Sequence, residues 1–115
     1  MKISETHRYE VYAPDGKIAG AIYVRKYFNG KPTYIANLKV RKEYRYKRLG
    51  YGKKLVQMVV NKYGNEMLKL RYYSYDPKVL PNSELRKFYE SFGFHGPKDK
   101  KTLVREANKW STASL

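Results

Sequence analysis

The segment YKRLGYGKKL, residues 46–55, sets two glycines among lysines and arginines and then turns apolar. Read by itself it is either a basic surface turn or the entry to a helix built around an anion. The residues after it decide the local structure. Leu55, Val56, Val59, Val60 and Tyr63 recur at helical spacing, Lys54, Gln57, Asn61 and Lys62 lie largely opposite, and Gly64 stands where a C-terminal stop belongs. A helix thus begins near Gly50, directly after the glycine loop. Its first N–H groups lack helical partners and sit at the positive end of the helix dipole, which makes the junction an anion site. Gly50 and Gly52 let backbone approach a ligand closely, and Arg45, Lys47, Arg48 and Lys53 add charge around it. A pyrophosphate suits such a site.

Towards the N-terminus the pattern is that of strands. Residues 8–12 alternate, PDGK (14–17) is a turn, 18–28 is a long β-rich run, FNGKP (28–32) carries an Asn-Gly hairpin signal, and 33–40 alternates again. Together these form a three-stranded antiparallel meander. Towards the C-terminus, 67–73 reads as another strand and 75–81, with two prolines, as a loop. Asn82 or Ser83 is placed to cap a second helix with the apolar face Leu85, Phe88, Tyr89 and Phe92, closed by Gly93, and 102–105 is a last short strand. The expected order is βββ-α-β-α-β: an α+β fold with a mostly antiparallel sheet, in one domain over 1–106. A polar tail, 107–115, comes last, and its Trp110 can dock on the sheet.

Composition narrows the chemistry. A chain of 115 residues holds one core. Cysteine is absent and the two histidines, His7 and His95, are far apart, so no metal is expected and the chemistry falls to oxygen, nitrogen and backbone groups. No apolar run approaches a membrane span and MKISETHRYE lacks a signal-peptide core, so a cytoplasmic protein with no membrane partner is expected. The net charge of +15 points to polyanionic partners. Thirteen tyrosines interleave with the cations, which fits either a base-stacking, phosphate-neutralising surface or a half-buried sheet.

The stretch VRKEYRYKRLGYGKKL (40–55) resembles the acetyl-CoA loop of the GNAT N-acetyltransferases: a strand ending in Val, then Arg or Gln, two residues, Gly, one residue, and Gly or Ala. Lys47, Gly50 and Gly52 take those three places, Lys47 being a conservative departure. NSELRKFYESFGF (82–94) resembles the late motif of the same family, with Asn, Tyr seven residues on, then Gly-Phe. Two motifs in order, separated by one strand, are far more specific than either alone. The likeness spans residues 18–104 and lacks the helical pair that usually follows the first strand, so it implies a pared-down member.

The resemblance implies roles. Backbone groups of Leu38 and Val40 would pair with the pantetheine arm of acetyl-CoA, backbone around Arg45, Lys47, Arg48, Leu49, Gly50 and Gly52 would hold its pyrophosphate, and Asn82 would help orient its far end. Tyr89 would protonate the departing thiolate, although it also lies on the apolar face of its helix. A lysine-like amine with a pKa of ~10.4 must lose a proton before attack. Where many relatives carry a carboxylate in the central strand, this chain has Ala36 and Asn37, so Asp76 is the candidate base ahead of Glu43 and His95. Coenzyme A brings only about four negative charges, leaving most of the positive field for an amine on a macromolecular acceptor in an acidic protein surface, a nucleoprotein or an aminoacylated RNA. A non-catalytic nucleic-acid-binding protein is the alternative.

Overall fold

In the computed structural model, which describes residues 3–45, 49–74 and 76–108, the alternating first third forms three long strands, β1 (Ser4–Tyr12), β2 (Ile18–Tyr27) and β3 (Thr33–Val40). Lys47, Arg48 and Trp110 fall outside the described residues. After a 3-10 turn at Lys42–Tyr44 come α1 (Tyr51–Tyr63), β4 (Leu68–Arg71), α2 (Asn82–Glu90) and β5 (Thr102–Arg105). The sheet order is β1-β2-β3-β4-β5. Every neighbour is antiparallel except β3 and β4, which run parallel because α1 is the crossover between them. The expected element order and mixed α+β class are those of the molecule.

Both helices pack on one face of the sheet. Ile22, Val24, Ile35, Leu68, Leu70 and Leu103 meet the α1 stripe of Leu55, Val56, Val59, Val60 and Tyr63, with Tyr89 and Phe94 closing the cluster and Leu85, Phe88 and Phe92 against it. Among the described residues, no helix is long and apolar enough to cross a membrane.

Two irregularities of β3 break the continuity of the sheet. Tyr23 pairs with Asn37 but Val24 pairs with Ile35, so Ala36 is an extra residue, a β-bulge. Inward-facing positions therefore switch from Thr33 and Ile35 to Leu38 and Val40. In addition, β4 pairs with β3 only at Thr33, Tyr34 and Ile35. Beyond that point the two parallel strands part, and the sheet carries a gap.

Three local expectations change. β1 begins at Ser4 rather than near residue 8, because pairing to the full length of β2 recruits polar residues that carry no apolar pattern. Gly64 follows α1 without a left-handed turn: its φ is −65°, and what calls for glycine is space, since an added Cβ would lie 2.4 Å from the Val60 carbonyl and 2.8 Å from Asn108 Nδ2. Neither Asn82 nor Ser83 caps α2. Its N-cap is Pro81, with no side-chain cap hydrogen bond.

Just past α1, Glu66 ties the sheet to the helix end, accepting hydrogen bonds from Lys26 Nζ at 2.8 Å and from the buried Thr33 hydroxyl. Burial pushes its carboxyl up, but the bonds from Lys26 and Thr33 outweigh that and hold it below its ordinary 4.5. Because the folded pKa is depressed, this stabilisation is present above pH 4.5 and is lost as pH falls through the folded value. Glu66→Gln is expected to cost no more than about 1 kcal/mol at neutral pH, since the pair is partly exposed. It should also flatten the fall of Tm with acidity below that pH, as melting at a series of pH values will read.

Candidate active site

Gly50 is the N-cap of α1 and takes a left-handed conformation, φ 81° and ψ 10°, which costs an L residue about 1–2 kcal/mol. The helix has no side-chain cap and no acidic residue in its first turn. Its first intrahelical bond runs from the Lys54 N–H to the Gly50 carbonyl at 2.9 Å, so the amides of Tyr51, Gly52 and Lys53 have no helical acceptor. At Gly52, an added Cβ would meet only the Phe88 ring and a Val40 methyl, both at 3.8 Å. Folding therefore does not require glycine there.

This helix mouth opens into a cleft of about 650 Å³ that brings Leu38, Val40, Arg45, Leu49, Gly50, Gly52 and Tyr89 together from across the sequence. Lys53 also lines it. The backbone of β3 faces the same space. The Arg41 N–H bonds the Ala19 carbonyl at 2.8 Å, so by alternation Lys39 and Asn37 bond to β2, while the N–H and C=O groups of Leu38 and Val40 point the other way, into the gap left by β4. Arg45 donates its Nε–H to the Val40 carbonyl at 3.0 Å, pinning the loop after the strand.

A second cavity, of about 210 Å³, lies in the gap itself, lined by Ala36, Asn37, Arg71, Tyr72 and others. Leu38, Tyr73 and Tyr89 line both spaces, so the two are neighbours across these residues. Tyr89 is 6% exposed, with its ring edge-on to Phe88 at 5.1 Å and Phe94 at 6.1 Å. The helix that carries it is anchored by Arg86, whose guanidinium donates to the carbonyls of Gly96, Pro97 and Lys100 and pairs with Glu90. Nothing local in the sequence marks Arg86 for this, because those carbonyls arrive only with the turn before β5.

The remaining expected residues lie apart from the cavities. Asn82 lines neither, and its Oδ1 accepts the Ser74 N–H at 2.8 Å, fastening the loop after β4 to α2. Asp76 also lines neither; its Oδ1 accepts the Lys78 N–H and its carbonyl accepts those of Val79 and Leu80, so it builds the turn behind the cleft wall. Glu43 pairs with Arg41 at 3.5 Å, and His95 faces Glu106 at 3.7 Å beside β5. Among the described residues, the smaller cavity is lined by no carboxylate, and Glu84 is the carboxylate on the larger one. Asp76→Asn preserves the turn's acceptor oxygen. If Asp76 is structural, the variant should keep the parent kcat within about twofold; a loss of about a hundredfold in steady-state assays would restore Asp76 as the base.

Residues 5–96 match the family model described as acetyltransferase (GNAT) domain. Among curated proteins, none matches the sequence significantly. Solved structures do. An acetyltransferase of the GNAT family from Staphylococcus aureus Mu50 is similar at 17% identity and a TM-score of 0.64, over 90% of this chain and 69% of that one. The anti-CRISPR protein AcrVA5 is similar at 21% identity and a TM-score of 0.60, over 86% of this chain and 96% of that one. The PaiA N-acetyltransferase of Thermoplasma acidophilum, solved in complex with coenzyme A, is similar at 19% identity and a TM-score of 0.61, over 89% of this chain and 61% of that one. At these identities the likeness to solved structures establishes the fold.

Proposed function

The chain belongs to the GNAT acetyltransferase family, and on that footing we propose that it moves an acetyl group from acetyl-CoA to a primary amine on a macromolecular acceptor, both held at once. The observation that carries this reading is the uncapped, glycine-entered mouth of α1, opening onto the same cleft as the outward backbone of Leu38 and Val40.

The cleft fits acetyl-CoA. Amides at Tyr51, Gly52 and Lys53 and the charge of Arg45 and Lys53 suit a pyrophosphate. The backbone of Leu38 and Val40 forms the edge along which an extended arm would lie as an added strand, the Val40 carbonyl also accepting from Arg45 Nε. Lys47 and Arg48 remain assigned to the same loop from the motif. Asn82 acts one step removed, by holding the loop after β4 in place. When bound, acetyl-CoA supplies the activated thioester; the protein supplies orientation and a proton.

That Tyr89 lines both cavities supports a role in which its phenol donates a proton to a leaving thiolate on one side while the amine approaches from the other. With no carboxylate lining the smaller cavity, the amine's proton passes to water, which Asn37 can position without accepting the proton itself. The acceptor is expected to present its amine near anionic groups, because the +15 charge repels a free basic tail. Incubation with labelled acetyl-CoA and cell lysate, followed by mass spectrometry, tests the reading. Label on a protein or RNA supports it, and acetyl-CoA binding without transfer to any acceptor refutes the enzyme. The second reading, a nucleic-acid binder without turnover, draws on the open face of the sheet.

A further inference from the structure

Since α1 and α2 share one face of the sheet, the other presents a different surface. Strand register puts Arg8 beside Tyr23 and Tyr23 beside Asn37 on that face, and the Arg8 guanidinium lies over the Tyr23 ring at 5.6 Å. One step along, Arg25 pairs with Tyr34, which pairs with Lys69. Arg8, Arg25, Lys39, Lys69 and Arg71 are all exposed. Glu10 is the one carboxylate among the strand residues of this face, and it is occupied by Arg8 at 2.8 Å. The row continues beyond β3: Asn37 and Arg71 line the smaller cavity, and Tyr73, 54% exposed, sits between Arg71 and Lys101, each 5.0 Å from its ring.

We propose that this open sheet face, centred on Tyr23, Arg25, Tyr34 and Lys69, binds single-stranded nucleic acid. Aromatic rings standing on a flat sheet offer stacking platforms that accept any base, and cations between them neutralise the connecting phosphates. Side chains two residues apart along a strand are separated by about 7 Å, so successive platforms stay distinct. A protein partner is the weaker match, because protein interfaces are built on apolar anchors with charge kept to the rim. Here the exposed centre is charged, and its apolar content is mostly tyrosine. The inference rests on the acetyltransferase reading only where it makes the bound strand part of the acceptor, since the row leads to the cavity beside Tyr89.

The test is fluorescence anisotropy of the full chain with labelled mixed-sequence RNA and DNA strands of about 20 nucleotides, over a range of salt concentrations. Arg25→Glu with Lys69→Glu should weaken binding at least about tenfold and make the salt dependence shallower. Lys17→Glu with Lys98→Glu, the same charge change in two turns off this face, should alter affinity less than about twofold. Tyr23→Ala should cost about tenfold while Tyr23→Phe stays within about twofold of the parent, because a ring suffices for stacking. Acetyl-CoA titration of each variant, expected to match the parent, separates this proposal from the cofactor site. Absence of oligonucleotide binding, equal loss in the control pair, or face-dependent binding of polyglutamate in preference to the oligonucleotides overturns it.

Discussion

A Gly52→Glu protein will melt no lower than its parent and yet bind acetyl-CoA at least about a hundredfold more weakly. The two halves of this result have opposite signs at one residue. For folding, position 52 lies in the first turn of a helix that has no cap and no acidic residue, where a carboxylate is stabilising by about 0.3–1 kcal/mol. Replacing glycine within a helix adds about 0.5–1 kcal/mol, and the nearest atoms to a new Cβ are at 3.8 Å. For binding, the same carboxylate occupies the amides that the pyrophosphate needs and repels it. Two unit charges about 4 Å apart at an effective dielectric near 20 repel by about 4 kcal/mol, which alone is several hundredfold. Calorimetric titration and a thermal melt of the same sample measure both. Near-parental affinity in the variant would mean that acetyl-CoA does not use the mouth of α1.

That site was legible in the sequence where its parts are local. The stripe from Leu55 to Tyr63 fixes the direction of α1, and the glycines before it announce the mouth. The spacing from Val40 to Gly50 brings the end of β3 to the same place. What depends on pairing between distant strands was hidden. The bulge at Ala36 has a faint trace, the three-residue step from Ile35 to Leu38 that breaks a two-residue alternation, but only the register of β2 makes it a bulge. The parting of β3 and β4, which creates the smaller cavity, comes from where pairing stops and has no composition of its own. Asp76 shows the same dependence: its place after β4 pointed to the gap, and the fold adds that its Oδ1 accepts the Lys78 N–H within its own turn. Arg86 is the converse case, a surface-looking helix residue whose partners lie in a turn that arrives from later in the chain.

Substitution of Tyr89 by Phe will lower kcat by about 10²–10³-fold and leave both the fold and acetyl-CoA affinity close to the parent's. The tyrosine is buried on the apolar face of α2, and its ring packs on Phe88 and Phe94, contacts that phenylalanine keeps. A purely structural tyrosine would therefore leave turnover unmoved. The larger loss is expected because Tyr89 lines both cavities, and on the proposed reading its phenol protonates the thiolate that leaves between them. In water a thiol of pKa ~8.5 leaves as an anion without help, and a phenol of pKa ~10 is the weaker acid. In the cleft the gain comes from position: a proton already within reach stabilises the thiolate as it forms, before solvent can. Losing that proton raises the barrier to chemistry without altering how the donor is held, so the change falls on kcat and not on the acetyl-CoA KM. Steady-state kinetics with the acceptor identified by labelling will show the split. Equal kcat in parent and variant would assign Tyr89 to the core alone and leave the thiolate to be protonated by solvent.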